Sequence, residues 1–261
     1  MSAIVNDDYL RFCAGLREIC GIDLTQYKRQ QMERRLRTFL ERQGFKRLTD
    51  ALAGLRADKS QLDALLDRMT INVSQLWRNP EQWQFLEREI IPGLGAGGSF
   101  KAWSAGSSYG AEAFTLAAIC AAAIPRAKTQ IHGTDIDHRM VARAREGMFS
   151  DEDARSAPAD ALKRWFERVP GGWRARPELR AMTRFEIGDL LRITPQTAHF
   201  DLIMCRNTVI YFAEPIRNEL HARLARALRP GGYLMVGATE RVADPRSLGL
   251  VPCHPFIFRK S

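Results

Sequence analysis

The chain has 261 residues, 45% hydrophobic and 26% charged, which at roughly 150 residues per domain makes one large domain or two unequal ones and excludes a disordered chain. Thirty-nine basic against thirty acidic side chains leave a formal charge of +9, a balance that favours a polyanionic partner such as nucleic acid, an anionic membrane surface or an acidic protein. No apolar run reaches the roughly 18 to 20 residues of a membrane helix. Asp7 and Asp8 stand where a signal peptide would be basic and then apolar, so a soluble cytoplasmic protein is expected.

From Tyr9 to Met69 the pattern is helical. Leu10, Cys13, Leu16 and Cys20 step three and four apart before Gly21 closes the first helix. Asp23 or Thr25 can cap a second helix from Gln26 to Gln43, ended by Gly44. Shorter ones are expected over Thr49 to Gly54 and Ser60 to Met69. The second helix concentrates charge: residues 26–47 hold eight basic side chains against Glu33 and Glu41. That is either a solvated face or a docking surface for something acidic. Tyr27, Phe39 and Phe45 are thin aromatic interleaving for stacking bases.

After a linking helix from Glu81 to Ile90 and a glycine-rich loop, strands and helices alternate. Strands are expected over Phe100–Ser104, Gln130–Thr134, Thr183–Ile187, Phe200–Cys205, Gly232–Ala238 and Pro255–Phe258. Helices are expected over Gly110–Ala123, His138–Glu146 and Pro215–Leu228. This alternation predicts a mostly parallel sheet covered on both faces, with ligands at the carboxyl ends of its strands. The segment Phe149 to Arg180 breaks the alternation and reads as an inserted hairpin. Boundaries follow at 1–75 for a basic helical domain, 76–98 for a linker, and 99–261 for the sheet domain with its insertion at about 150–182.

The chemistry gathers after the strands. Ala105-Gly106-Ser107-Ser108-Tyr109-Gly110 follows the first with small residues that let a ligand approach the backbone, although its spacing is not GxGxxG. Asp135 ends the second strand, where a carboxylate can accept both hydroxyls of a ribose. Together these point to an adenosine cofactor. Asp189 follows the third strand, where it could accept from an adenine amino group. Arg206, Asn207 and Tyr211 follow the fourth, grouped where a substrate would face the cofactor. The five cysteines are scattered, without a CxxC pair or a histidine at zinc-ligand spacing, so no metal site is expected.

Four ordered motifs carry a resemblance. They are Thr70-Ile71-Asn72-Val73-Ser74-Gln75-Leu76-Trp77-Arg78, Trp103-Ser104-Ala105 through Glu112, Thr134-Asp135-Ile136-Asp137, and Cys205-Arg206-Asn207-Thr208-Val209-Ile210-Tyr211-Phe212. The chain resembles the CheR family of chemotaxis methyltransferases, which esterify receptor glutamates with S-adenosylmethionine. The resemblance implies a class I, Rossmann-like methyltransferase sheet in an α/β domain, a small all-α amino-terminal domain, and a small antiparallel β insertion. It also implies cofactor contacts at Asn72, Ser74, Arg78, Glu112, Asp135, Asp189, Asn207, Thr208 and Arg223. The family more often has asparagine at the position of Asp189, and writes a threonine, glycine and two acids where this chain has Tyr109-Gly110-Ala111-Glu112.

The implied reaction is O-methylation of glutamate, leaving S-adenosylhomocysteine. A glutamate is ionised at pH 7, since its unperturbed pKa is about 4.3, so no general base is needed. Arg78 and Tyr211 are expected to hold the incoming carboxylate by charge-assisted and hydroxyl hydrogen bonds; Tyr211 read structurally is an aromatic packed under the cofactor. Acidic receptor helices are the expected partner, docked through Arg34, Arg35 and Arg37 on a monomeric chain. Two rival readings remain open. A nucleic-acid methyltransferase is disfavoured because no proline follows Asn207, and a non-catalytic cofactor-binding scaffold is disfavoured by the retained site residues.

Overall fold

A computed structural model describes residues 7–69 and 74–261. They form two units: the described residues up to Met69 together with Tyr211–Ile216, and residues Val73–Ile210 with Arg217–Ser261, the latter described from Ser74.

In the first unit, helix α1 spans Asp8–Cys20. The Asp7 side chain caps it, accepting from the backbone N–H of Tyr9 and Leu10, and Gly21 ends it in the left-handed conformation. Its inward face is Tyr9, Phe12, Cys13 and Leu16. Helix α2 spans Arg29–Glu41 and buries Met32, Leu36 and Leu40. It starts three residues later than expected, and neither predicted cap caps it. Asp23 instead caps a 3-10 turn, Leu24–Gln26, and Tyr27 is extended, bridging Phe212. A residue engaged in a β-bridge cannot also open a helix. A 3-10 turn over Leu48–Ala51 leads into α3 (Leu52–Ala57), and α4 (Lys59–Met69) follows. Asp8 secures that turn, accepting from Leu48 N at 2.8 Å and from the Thr49 hydroxyl at 2.7 Å.

The second unit opens with α5 (Pro80–Phe85), which runs through a π-helical turn (Leu86–Ile90) into α6 (Ile91–Gly95). Then come β1 (Ser99–Ala105), α7 (Ala111–Ala123), β2 (Lys128–Asp135) and α8 (His138–Glu146). The insertion holds β3 (Met148–Phe149), α9 (Asp151–Ala154), α10 (Ala159–Trp165), β4 (Phe166–Val169), β5 (Gly172–Ala175) and α11 (Pro177–Met182). Its strands make a three-stranded antiparallel sheet in the order β3-β5-β4. The chain continues with β6 (Thr183–Ile187), β7 (Phe200–Cys205), α12 (Glu214–Ala227), β8 (Leu228–Val236), β9 (Leu250–His254) and β10 (Ile257–Lys260).

The main sheet has seven strands in the order β6-β2-β1-β7-β8-β10-β9. The first five are parallel, and the β9–β10 hairpin is added antiparallel to β8. Beyond Glu112 in its first turn, helix α7 is apolar on nearly every side and almost wholly buried. Its Phe114, Leu116 and Ile119 each contribute about 1.5–3 kcal/mol by burial.

Three features differ from expectation. The crossover from β6 to β7, residues 188–199, contains no helix, and on β2 the half-buried Gln130, His132 and Thr134 alternate with buried residues. The sheet is therefore less covered on one face there than on the other. Strand β8 begins at Leu228, taking in Arg229-Pro230-Gly231-Gly232, and its register with β7 shifts at that point. Strand β9 was not anticipated: Val251, Pro252 and Cys253 are exposed, so no alternation marks it, and proline reads against a strand. At the opposite edge, Arg145 lays its guanidinium on the β6 backbone, donating from Nε and Nη2 to the carbonyl of Phe185 at 3.1 and 2.9 Å.

Candidate functional site

From β1 the chain lays β2 and β6 on one side and β7 and β8 on the other. The loops after β1 and β7 diverge at this reversal and open a crevice at the carboxyl ends of the strands.

The loop after β1 is folded onto the end of β2. Gly106 and Ser107 both donate their N–H to the carbonyl of Thr134 at 2.9 Å. Gly106 has φ +82, and a Cβ there would collide with the Thr208 hydroxyl, so the turn requires glycine. Ser108 then donates its N–H to Asp135 Oδ2 at 2.7 Å, while Asp137 N–H reaches Oδ1 at 3.0 Å. Burial pushes the Asp135 carboxyl above its ordinary range, and the backbone N–H groups of Asp137 and Ser108 oppose that. The carboxylate is fixed in orientation by backbone N–H groups, and it has acceptor capacity left for a ligand hydroxyl.

Glu112 lies in the first turn of α7. It accepts from the Ser104 hydroxyl at 3.3 Å and pairs with Arg206 at 3.1 Å. Burial raises its pKa, and the Arg206 charge is the main opposing influence. Arg206 Nη2 also donates at 2.9 Å to the Arg78 carbonyl, to Asn79 Oδ1 and to Gln82 Oε1. Its guanidinium lies 5.3 Å from the Trp83 ring centroid, and the Trp83 indole N–H donates to the same Arg78 carbonyl at 2.9 Å. One buried cation thus joins the start of α7, the end of β7 and the loop that carries Arg78. That loop is held in a costly conformation: Trp77 and Asn79, on either side of Arg78, have φ of +55° and +61°, each costing on the order of 1–3 kcal/mol.

Sequence reasoning grouped Arg206 with its neighbours but gave it no role. The signal was a charged residue directly after the wholly buried strand Phe200–Cys205, where an arginine must find acceptors. Tyr109 was read only as a departure from the family pattern. Its hydroxyl bonds the Ser74 carbonyl and, at 2.8 Å, Asp153 Oδ1, and Arg143 lies 3.9 Å from its ring centroid.

The remaining expected residues fall as follows. Asn72 lies outside the described residues. Asn207 and Thr208 form the turn after β7, Asn207 with φ +56, and the Thr208 hydroxyl donates to the Arg206 carbonyl at 3.2 Å. Asp189 and Arg223 serve one loop: Asp189 accepts from Leu191 N–H at 2.8 Å and pairs with Arg192, while Arg223 Nη1 donates to the carbonyls of Leu191 and Ile193. In the helical unit, the Tyr211 carbonyl accepts from Lys28 N–H at 2.9 Å and its ring faces the Arg35 guanidinium at 5.3 Å. Arg35 also donates to the Met69 carbonyl. Arg37 pairs with Glu33 at 2.7 Å and Asp8 at 3.8 Å, whereas Arg34 is exposed and makes no ion pair among the described residues.

The crevice fits S-adenosylmethionine. The Ser107 hydroxyl is buried with no hydrogen-bond partner among the described residues, beside an oriented acid in Asp135 and a buried acid in Glu112. Among the described residues no group of three histidines, cysteines or acids could hold a metal, and no helix is long and apolar enough to cross a membrane.

Comparison with known proteins agrees with this construction. Residues 72–256 match the model of the CheR methyltransferase, SAM binding domain, and residues 7–70 match that of the CheR methyltransferase, all-alpha domain. A chemotaxis protein methyltransferase of Listeria innocua is 31% identical over 97% of both chains. Chemotaxis protein methyltransferase 1 of Pseudomonas aeruginosa is 29% identical over the full length of both. A solved S-adenosylmethionine dependent methyltransferase from Mesorhizobium loti is 19% identical over 56% of this chain and 51% of that one, with a TM-score of 0.33. With both domain models matched in order along nearly the whole chain, this protein belongs to the CheR methyltransferase family and is an S-adenosylmethionine-dependent methyltransferase.

Proposed function

We propose that the protein methylates glutamate side chains on chemoreceptors, releasing the methyl esters and S-adenosylhomocysteine. The observation that carries the reading is the Arg206 hub, which ties the largely buried Glu112 to the loop that carries Arg78. This supports a site in which the residue assigned to the cofactor and the loop of the residue assigned to the substrate are held together.

S-adenosylmethionine supplies an electrophilic methyl group on a sulfonium. Asp135 would hold the ribose hydroxyls, and Glu112 would face the cationic end of the methionine moiety, with Asn207 and Thr208 closing the crevice beside them. Ser74, Asp189 and Arg223 support the same end of the sheet, the last two through the loop at 189–193. Arg78 receives the attacking carboxylate and orients it, and the Tyr211 hydroxyl is assigned as a second contact from its motif. No side chain need take a proton, because the nucleophile arrives ionised. Rate enhancement then rests on positioning and on partial desolvation of the carboxylate. The exposed cations of α2 suit receptor helices rich in acids.

The test is calorimetric titration with S-adenosylhomocysteine on the full chain and on Asp135→Ala, followed by transfer of labelled methyl to receptor-bearing membranes. Micromolar or tighter binding lost in the variant, and label released as methanol by alkali, is the expected result. Alkali-stable label, or label on nucleic acid, would refute glutamate esterification.

A further inference from the structure

Beside the Arg206 hub lies a second buried charge that the reaction scheme leaves unused. Glu240 stands in the loop after β8 and is 3% exposed. Its Oε2 accepts from Asn207 N–H at 2.8 Å and from Gly237 N–H at 2.7 Å, and its Oε1 from Val209 N–H at 2.9 Å. Backbone N–H groups from two loops thus converge on one carboxylate, as they do in anion-binding nests. The turn it grips is the one in which Asn207 takes a left-handed φ of +56, a conformation that a non-glycine residue keeps only when its surroundings hold it there.

Two glycines complete the grip. Gly237 lies against the turn: a Cβ there would fall 2.8 Å from both Asn207 N and Glu240 Oε2, and 3.0 Å from Asn207 Nδ2. On the other side Gly106 gives Thr208 its room. Asn207 and Thr208 are therefore seated between the loops after β1 and β8, with Glu240 as the pin. Burial raises the Glu240 pKa, and the N–H groups of Gly237, Asn207 and Val209 draw it back down. A carboxylate so placed is costly unless every N–H it faces is aimed at it.

We propose that Glu240 is a positioning residue of the methyltransferase site: it locks the Asn207–Val209 turn in the geometry that presents Asn207 and Thr208 to the cofactor. The proposal rests on the reading that Asn207 contacts the cofactor. Among the described residues the Glu240 carboxylate accepts hydrogen bonds from backbone N–H groups, and it acts through that turn.

The experiment compares the full chain with Glu240→Gln, Gly237→Ala, Asn207→Ala and the double variant Glu240→Gln/Asn207→Ala. Each is titrated calorimetrically with S-adenosylhomocysteine, and its thermal midpoint is measured without ligand. Glutamine keeps the shape but turns an amide N–H₂ toward backbone donors, whereas Gly237→Ala keeps the carboxylate and displaces the turn. Should one fail to fold, the other carries the test. Each should weaken binding on the order of tenfold to a hundredfold, the scale of losing one or two well-placed hydrogen bonds. The double variant should bind no more weakly than Glu240→Gln alone, because the second substitution removes a contact already lost. A merely structural Glu240 would lower the midpoint without that overlap. Wild-type affinity in Asn207→Ala would refute the reading and the proposal with it. A weakened Asn207→Ala beside unaffected Glu240→Gln and Gly237→Ala, or losses that multiply in the double variant, would overturn the role of Glu240 alone.

Discussion

Arg206 and Glu112 form an ion pair across 94 residues of sequence, Nη1 to Oε2 at 3.1 Å, with the guanidinium buried. The guanidinium fork also feeds three further acceptors, which a lysine ammonium could not do in the same plane. Arg206→Lys should therefore weaken S-adenosylhomocysteine binding at least tenfold. Arg206→Ala, which removes the main counter-charge of Glu112 and leaves it the Ser104 hydroxyl, should cost about 3 kcal/mol of stability. Calorimetry and denaturant titration check the two; wild-type values in both would mean the hub carries no load.

Gly106→Ala should abolish cofactor binding. The added Cβ meets Thr208 and sits on a positive φ, so the turn must open and take Ser107 and Ser108 away from the end of β2. A titration of the folded variant reads this directly. Retained binding would show that the loop after β1 tolerates rearrangement.

Stability should fall between pH 6.5 and pH 4 through His221. The ring is 1% exposed and neither nitrogen has a partner among the described residues. Burial, reinforced by Arg217, lowers its pKa from 6.5 to about 4. The sign follows from proton uptake: as pH drops below 6.5 the unfolded chain protonates this histidine while the folded chain does not, so unfolding gains. The contribution is fully present above pH 6.5 and lost as pH falls through 4, at about 1.4 kcal/mol per pH unit and on the order of 3 kcal/mol in all. Glu112, Asp135 and Glu240, whose pKa values are raised, act in the opposite sense. The comparison must therefore be with His221→Leu, whose acid limb should be flatter over that window. Parallel curves for the two chains would exclude His221 as the source.

Charge reversal on α2 should divide by position. Arg34 on α2, Arg42 at its end and Lys46 just beyond are exposed, and changing all three to Glu should slow receptor methylation at low salt, leave S-adenosylhomocysteine affinity alone, and lose its effect as ionic strength rises. Reversing Arg35 or Arg37 should instead lower the thermal midpoint, since these make the Met69, Tyr211, Glu33 and Asp8 contacts. Unchanged methylation in the first set would return α2 to the role of a solvated face.

What the sequence disclosed follows the range of the interactions involved. The small-residue turn and Asp135 are adjacent in the chain to the strands that aim them, so local pattern was enough to read the parallel sheet and its acid. The Arg78 carbonyl and Arg206 Nη2 are 128 residues apart, and no spacing rule announces such a bond. Glu240 was invisible for the same reason, since it bonds backbone N–H groups whose residues carry no mark of it. The start of α2 lies later than local pattern suggests because Asp23 caps a 3-10 turn that the Tyr27–Phe212 bridge then closes, and β9 escapes local pattern because its exposed residues do not alternate.

The two ends of the seven-stranded sheet carry one further implication. On the outermost strand β9, Pro252 offers no N–H to a neighbour; on β6 the Phe185 carbonyl is already occupied by the Arg145 fork. Each border thus carries one interruption in its row of backbone donors and acceptors, a feature that discourages accretion of a foreign strand. Val251, 55% exposed beside Pro252, is tolerated on that account. Replacing Pro252 with a β-branched residue would restore a backbone N–H to that border, and the expected outcome is faster aggregation, read by light scattering.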